Sequence, residues 1–401
     1  MKKRIFIAMH YMEIGGAETA LIGLLQALDY TRYDVDLFLY LHQGEMMQYI
    51  PKNVNILPEI KDYAHIERPM KDALLHGCWG VLYGRLKAKW LTKRYLRKKK
   101  AKESAAGLQY VADCVLPFLP SLHRFGVYDL AISYLTPHSY VINKVLAKKR
   151  ICWIHTDYTR IDINVEQELL VWSAYDHIMS ISPDVTKSFL HVFPLLKDRI
   201  IEMENILPPA FVRSRSAEFD AIAEMTNWGG NPIKILSIGR FSYQKNFDNV
   251  PDICRWILEN GTNVRWFLIG YGGDEDLIRQ KIKEAGMEEN VIILGKRTNP
   301  YPYIKACDIY VQPSRYEGKS VTVREAQMLC KPVVVTNYPT APSQIKNGID
   351  GVIVPLDNDG CAKGIIKFLS DKKLKEKIVD YLQLHDYGYK DEIEKIYKVI
   401  E

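Results

Sequence analysis

Two successive sets of short, continuously apolar runs restrict the fold of this chain more than any other feature. The first set is "RIFIAM", "DVDLFLYL", "YDLAISY", "RICWIH" and "HIMSIS"; the second is "IKILSIG", "VRWFLIG", "VIILG", "DIYVQPS" and "PVVVT". Strands that are apolar throughout, rather than alternating, suit parallel sheets covered by helices on both faces. Amphipathic stretches between them, such as Ala17 to Leu28 and Pro183 to Val192, supply those helices. The pattern predicts an α/β protein of two doubly wound, Rossmann-like domains. A length of 401 residues, too long for one ordinary core, agrees.

The predicted layout is a first domain over 1–206 with a helical insertion at about 61–102, a linker at 207–232, a second domain over 233–385 and a final helix over 386–401. The linker rests on the prolines, glycines, serines and charges collected in "LPPAFVRSRSAEFDAIAEMTNWGGNP". No apolar run is long enough for a spanning helix, and the amino-terminal one is too short for a signal sequence, which predicts a cytoplasmic protein. The seven cysteines lie singly without ligand spacing, so no metal site is implied.

Charge is concentrated. "RLKAKWLTKRYLRKKKAK", from Arg85 to Lys102, holds ten basic residues and no acid; without those ten, the chain's net +6 becomes −4. Such local basicity argues against a nucleic-acid-binding protein. Leu75, Trp79, Leu82, Leu86 and Trp90 form a helical apolar stripe beside the cations. A basic helix with tryptophans can dock on an anionic membrane, or its stripe can pack on the first domain, with Gly77, Gly80 and Gly84 weakening the helix.

Several short motifs sit where strands end. "YMEIGGAETALIGLLQAL" opens a helix on Gly15 and Gly16, which suits an anion at the helix amino terminus or equally a structural turn; the dinucleotide fingerprint GxGxxG is absent. "LSIGRFSYQKNF" places Gly239 and Arg240 at a strand end, with Lys245 entering a helix. Two cations there can neutralise a diphosphate, or merely decorate a solvated loop. In "FLIGYGGDED" the acids Asp274, Glu275 and Asp276 read as helix caps. "CWIHTDYTR" ends a strand just before His155, amid Thr156, Asp157 and Arg160, which makes His155 a site residue or a core histidine. In "RYEGKSVTVREAQMLCKPVVVT", Glu317 and Glu325 can face one cavity and accept from vicinal sugar hydroxyls, or serve a loop and a helix dipole.

The segment "EGKSVTVREAQMLCKPVVVT" resembles the Glu-x7-Glu signature of family 4 retaining glycosyltransferases of GT-B fold, and "GGAETALIGLL", "GRFSYQKN" and "GIDGVIVP" resemble their other motifs in the same order. That resemblance implies two domains facing across a cleft and no cofactor, with a nucleotide-diphosphate sugar, a UDP-sugar favoured, as donor. It implies Arg240 and Lys245 on the diphosphate, Glu317 on the transferred sugar and Glu325 on the ribose. The backbone at Lys296 and Arg297 would meet the base, Gly15 and Gly16 would close on the donor, and His155 would meet donor sugar or acceptor. Gly239, Gly318 and Ser320 complete the donor loops, and Lys319 stands where many members carry an aromatic residue, as a third cation near the diphosphate. The acceptor implied is lipid-linked or saccharide, in capsule, exopolysaccharide or O-antigen assembly at the inner face of the plasma membrane. Two other functions remain: a sugar-nucleotide epimerase of the same fold, and a non-catalytic membrane-bound scaffold.

Overall fold

Thirteen strands, all paired in parallel, form two sheets in a computed structural model that describes residues 2–99, 104–159, 161–226 and 231–401. The chain divides into two compact units, Met1–Ile206 with Lys390–Glu401, and Leu207–Tyr389.

In the first unit the strands are β1 (Lys3–Met9), β2 (Tyr33–Leu39), β3 (Asn55–Ile56), β4 (Val127–Ser133), β5 (Leu146–Ile154), β6 (His177–Ser180) and β7 (Ile200–Glu202), in the order β3-β2-β1-β4-β5-β6-β7. The second unit has β8 (Ile233–Ile238), β9 (Val264–Ile269), β10 (Val291–Gly295), β11 (Ile309–Gln312), β12 (Val333–Thr336) and β13 (Val352–Val354), ordered β10-β9-β8-β11-β12-β13. Both are doubly wound sheets whose strand order reverses once, beside β1 and beside β8, and ligands of open α/β sheets settle at the carboxyl ends there. Burial explains the composition: every residue of β9 and of β12 is buried, so neither face can be polar. Between strands, helix starts are set by side chains. Ser182 accepts from the Val185 N–H ahead of Pro183, and Asp357 accepts from the Gly360 N–H at 2.7 Å.

Three helices, Lys61–Glu67, Met70–Leu75 and Trp79–Lys99, occupy the expected insertion. Tyr63, Ala73, Cys78 and Val81 join Phe6, Phe38, Tyr40 and Tyr140 in one core, so this segment completes the first unit. Leu75 closes the shorter helix, and Trp79, Leu86 and Trp90 are 64%, 51% and 58% exposed. Of the stripe, Leu82 packs against that core, while the other members face away from it. A small-residue face, Val81, Gly84 and Ala88, packs instead on the helix Ala106–Val115. A Cβ on Gly84 would come within 2.6 Å of the Cys114 carbonyl oxygen, and one on Gly80 would overlap Phe118, so these glycines are what lets the helix approach. Lys100 and Lys102 lie outside the described residues.

The stretch 207–232 is not a bare linker. Its helices Pro209–Arg215 and Ile222–Thr226 bury Val212 and Met225 within the second unit, Ala221 is buried just before the latter, and Asn299 donates to the Arg215 carbonyl. Turn-forming residues outnumber those apolar anchors, which is why composition alone misreads the segment; residues 227–230 are outside the described ones. The second unit also runs past 385: Tyr387 is buried there, and Arg324 donates to its carbonyl at 2.5 Å. From Lys390 the chain rejoins the first unit, where the helix Ile393–Ile400 stacks Tyr397 on Tyr33 with ring centroids 5.0 Å apart.

Candidate functional site

The polar residues of the second unit meet where β8 and β11 end, at the reversal of strand order. After β8 the chain turns through Gly239 and an exposed Arg240 into the short turn Tyr243–Lys245. A Cβ on Gly239 would lie 3.0 Å from the Lys245 side chain, so the glycine leaves the lysine its path. Gly270 and Gly272 likewise admit the backbone of Gly239 and Phe241. Lys245 does not enter a helix as expected. Asn246 takes the left-handed conformation, φ 61°, which asparagine tolerates, and its amide donates to the Pro313 carbonyl at 2.9 Å. The helix begins only at Val250, with Pro251 as its second residue.

Facing that turn is the loop after β11. Lys245 Nζ and Glu317 Oε1 are 2.5 Å apart, with side chains only 16% and 6% exposed. Glu317 also accepts from Ser314 Oγ at 2.6 Å and Gln244 Nε2 at 3.2 Å. Arg315 holds the two loops together: it pairs with both carboxylate oxygens of Asp248 and donates to the Tyr243 carbonyl, while its own N–H reaches the Gln244 carbonyl. Such a pair costs several kcal/mol of desolvation per ion, offset here by attraction and by the neutral donors around it.

Glu325 stands in the helix Val321–Met328 and is 3% exposed. Its Oε1 accepts from Tyr301 Oη at 2.9 Å. Burial pushes its carboxyl up to about 7, against the opposing pull of the Tyr301 hydrogen bond and of Arg324. Gly318 and Ser320 are buried between the two acids, and Ser320 exchanges backbone bonds with the Gln344 side chain. Lys319 Nζ sits 6.0 Å from the centroid of the Tyr389 ring. Lys296 is exposed beside Tyr271, and the Arg297 guanidinium is committed to Glu224 and stacked by Tyr303. Asp274 makes no side-chain cap; Glu275 instead pairs with Arg279.

In the first unit, Gly15 precedes the helix Gly16–Ala27, and a Cβ there would meet the Glu18 carboxylate, which folds over the helix amino terminus. His155 follows β5 and lines a cavity, with Nε2 2.9 Å from the Tyr134 carbonyl. That carbonyl can only accept, so Nε2 carries the proton and Nδ1 the lone pair. Burial lowers the His155 pKa to about 4, so the ring is neutral at neutral pH. Arg160, expected nearby, is outside the described residues.

Four contributors were missing from the sequence reading. Gln244 and Ser314 adjoin motif residues and were findable as polar side chains at strand ends. Tyr301 and Arg315 reach their partners across 24 and 67 positions, which no local pattern signals.

Comparison with known proteins agrees with this geometry. Residues 218–385 match the profile of the family described as glycosyl transferases group 1. Over 121 residues, the chain is 28% identical to the amylovoran biosynthesis glycosyltransferase AmsD of Erwinia amylovora, covering 30% of this chain and 34% of that protein. Over 148 residues, it is 27% identical to the UDP-Gal:α-D-GlcNAc-diphosphoundecaprenol α-1,3-galactosyltransferase of Escherichia coli, covering 36% and 38%. The match thus spans about a third of the length of these curated relatives. The fold extends further: Anabaena HepE in complex with UDP and glucose superimposes with a TM-score of 0.68 at 15% identity, covering 99% of this chain and 98% of that one. A TarM variant of S. aureus in complex with UDP gives 0.69 at 12%, covering 100% of each. The chain has the GT-B fold, and residues 218–385 of its second unit are similar to group 1 glycosyl transferases.

Proposed function

We propose that the protein is a retaining glycosyltransferase that moves a sugar from a nucleoside diphosphate, with UDP favoured, to a hydroxyl of a growing cell-surface polysaccharide. One observation carries this reading: a cation and a carboxylate, Lys245 and Glu317, are held together at the carboxyl ends of β8 and β11, with Arg240 on the loop after β8 and Glu325 on the helix that follows the loop after β11. A nucleoside diphosphate sugar presents the complement of that pair, anionic oxygens beside vicinal hydroxyls.

In the mechanism, the bond between the anomeric carbon and the diphosphate oxygen breaks as negative charge builds on the departing group, so preorganised cations there lower the barrier. Lys245 and Arg240 supply them. Glu317, released from Lys245, accepts from the sugar hydroxyls, and Glu325 accepts from the ribose diol when ionised. The acceptor oxygen approaches the face the diphosphate leaves, and its proton passes to a departing phosphate oxygen, which preserves configuration without a carboxylate nucleophile. The names of the relatives, amylovoran biosynthesis and a diphosphoundecaprenol acceptor, support a lipid-linked acceptor. Neither relatives nor geometry favour an epimerase or a scaffold.

Among the described residues no helix is long and apolar enough to cross a membrane. The exposed Trp79, Tyr83, Leu86 and Trp90, on the helix that carries Lys93, Arg94, Arg97, Lys98 and Lys99, support peripheral docking on an anionic inner leaflet.

Thermal denaturation with UDP, GDP and their sugars tests the assignment. A ligand bound only by the folded state raises the midpoint, so a UDP-sugar should raise it in the wild type and hardly at all in Lys245→Ala. No shift with any nucleoside diphosphate sugar would refute it.

A further inference from the structure

The first unit contains a cavity of about 220 Å³ at the carboxyl ends of β4 and β5. Leu108, Leu135, Trp153, Tyr158 and Ile163 give it predominantly apolar walls, and Glu168 also lines it. Pockets for drug-sized ligands run to roughly 300–1,000 Å³, so this one suits a single ring. Its chemistry narrows the occupant further. The Glu168 carboxyl in its lining disfavours a phosphate inside. Glu168, Gln109 and His155 would all face an isoprenoid or acyl chain without answering polar groups, which disfavours a lipid tail.

A pyranose fits both conditions, since its C–H face covers aromatic and aliphatic walls while its hydroxyls need acceptors. Glu168 is such an acceptor. Its Oε2 takes the Trp172 indole N–H at 2.8 Å. A carboxylate accommodates about four such bonds, so capacity remains.

The surroundings of the cavity extend the argument. Leu108 is 56% exposed, and the wall residue Ile163 offers its carbonyl to Tyr95 Oη of the basic helix at 3.0 Å. Lys99 Nζ lies 5.9 Å from the Tyr95 ring centroid. The wall around Ile163 is thus tied to the cationic end of that helix.

We propose that this cavity seats one pyranose ring of the acceptor, with the phosphate of its carrier resting on the turn from Tyr95 to Lys99. The identification of the ring as the acceptor's rests on the sugar-transfer reading above; the pocket's preference for a pyranose does not.

Saturation-transfer NMR tests it with the methyl glycosides and the 1-phosphates of glucose, galactose, N-acetylglucosamine and N-acetylgalactosamine, in the presence of UDP. At least one sugar should take saturation on its ring protons, and Leu108→Trp and Glu168→Gln should each weaken that binding about tenfold. Charge reversal of Lys98 and Lys99 should weaken the 1-phosphate of that sugar while leaving its methyl glycoside unchanged. Circular dichroism and the UDP-sugar thermal shift, measured on every variant, should match the wild type. Saturation that both pocket variants leave intact, or none with any of the sugars, would overturn the proposal. Equal weakening of glycoside and 1-phosphate by the charge reversal, or no weakening of either, would overturn the phosphate placement. A UDP-sugar shift without hexose binding sinks this inference and spares the donor assignment; hexose binding without any nucleotide shift does the reverse.

Discussion

The carboxyl ends of β8–β11, at the reversal of strand order, and of β4–β5, one strand along from it, belong to two sheets of like topology, yet their chemistry is opposite. The second unit gathers opposite charges that answer each other: Lys245 with Glu317, and Arg315 with Asp248. The first offers an apolar cavity whose ionisable groups are pushed toward neutrality by burial, His155 downward and Glu168 upward. One backbone plan therefore serves two recognition problems, and the side chains at strand ends decide which.

Removing a charge from the paired edge should do the most damage. Lys245→Ala is expected to lower kcat/KM for the donor about 10²–10³-fold, as loss of one charge-stabilising donor does. It also strands Glu317, at about 3–5 kcal/mol, so thermal or urea denaturation should register the loss without ligand. A variant of normal stability and normal donor kinetics would erase the contrast between the two edges.

Next comes the basic helix. Neutralising Lys93, Arg94, Arg97 and Lys98 should cost roughly 4 kcal/mol of attraction to anionic vesicles, at ~1 kcal/mol per cation, with neutral vesicles as control. Co-sedimentation reads it directly, and undiminished binding would remove the docking face.

Glu325→Gln should raise the donor KM about tenfold above neutrality, the cost of one charged hydrogen bond. Because Glu325 titrates near 7, wild-type donor affinity should improve as pH rises through that value, and the variant should lose the dependence. The stability sign is opposite. A carboxyl raised from 4.5 to about 7 favours the fold while protonated, below 4.5, and that contribution disappears as pH rises through about 7. Denaturation midpoints across this range should therefore slope less in Glu325→Gln.

His155 should give the smallest signal. With its pKa near 4, it contributes no inflection to the turnover profile around neutrality, and His155→Gln should change the height of that profile but not its shape. An inflection near neutrality that survives Glu325→Gln and vanishes in His155→Gln would reverse the assignment of pH control between the units.

Much of this architecture is legible in the amino-acid order because parallel strands must be apolar on both faces. The exceptions are instructive. β3 and β7 are two- and three-residue edge strands, too short to leave a hydrophobic signature. The stretch 207–232 carries turn-forming residues but is held by buried apolar side chains, Leu207, Val212, Ala221 and Met225, and counting the former hides the latter. At the β8–β11 edge, the spacing of Glu317 and Glu325 reads directly, whereas the ion pair with Lys245 requires two loops from different strands to meet. Which face of the helix Trp79–Lys99 packs was decided by Gly84 and Ala88, small residues that a search for large apolar ones passes over.

The contact between Lys245 and Glu317 also bears on which visitors the empty protein tolerates. An inorganic phosphate that draws the ammonium away abandons a carboxylate in a nearly dry crevice, whereas a sugar nucleotide satisfies both at once. On the proposed donor assignment, abundant cellular anions would be poor competitors, and a spent nucleotide, stripped of its hexose, would be pressed to depart as the two side chains reunite.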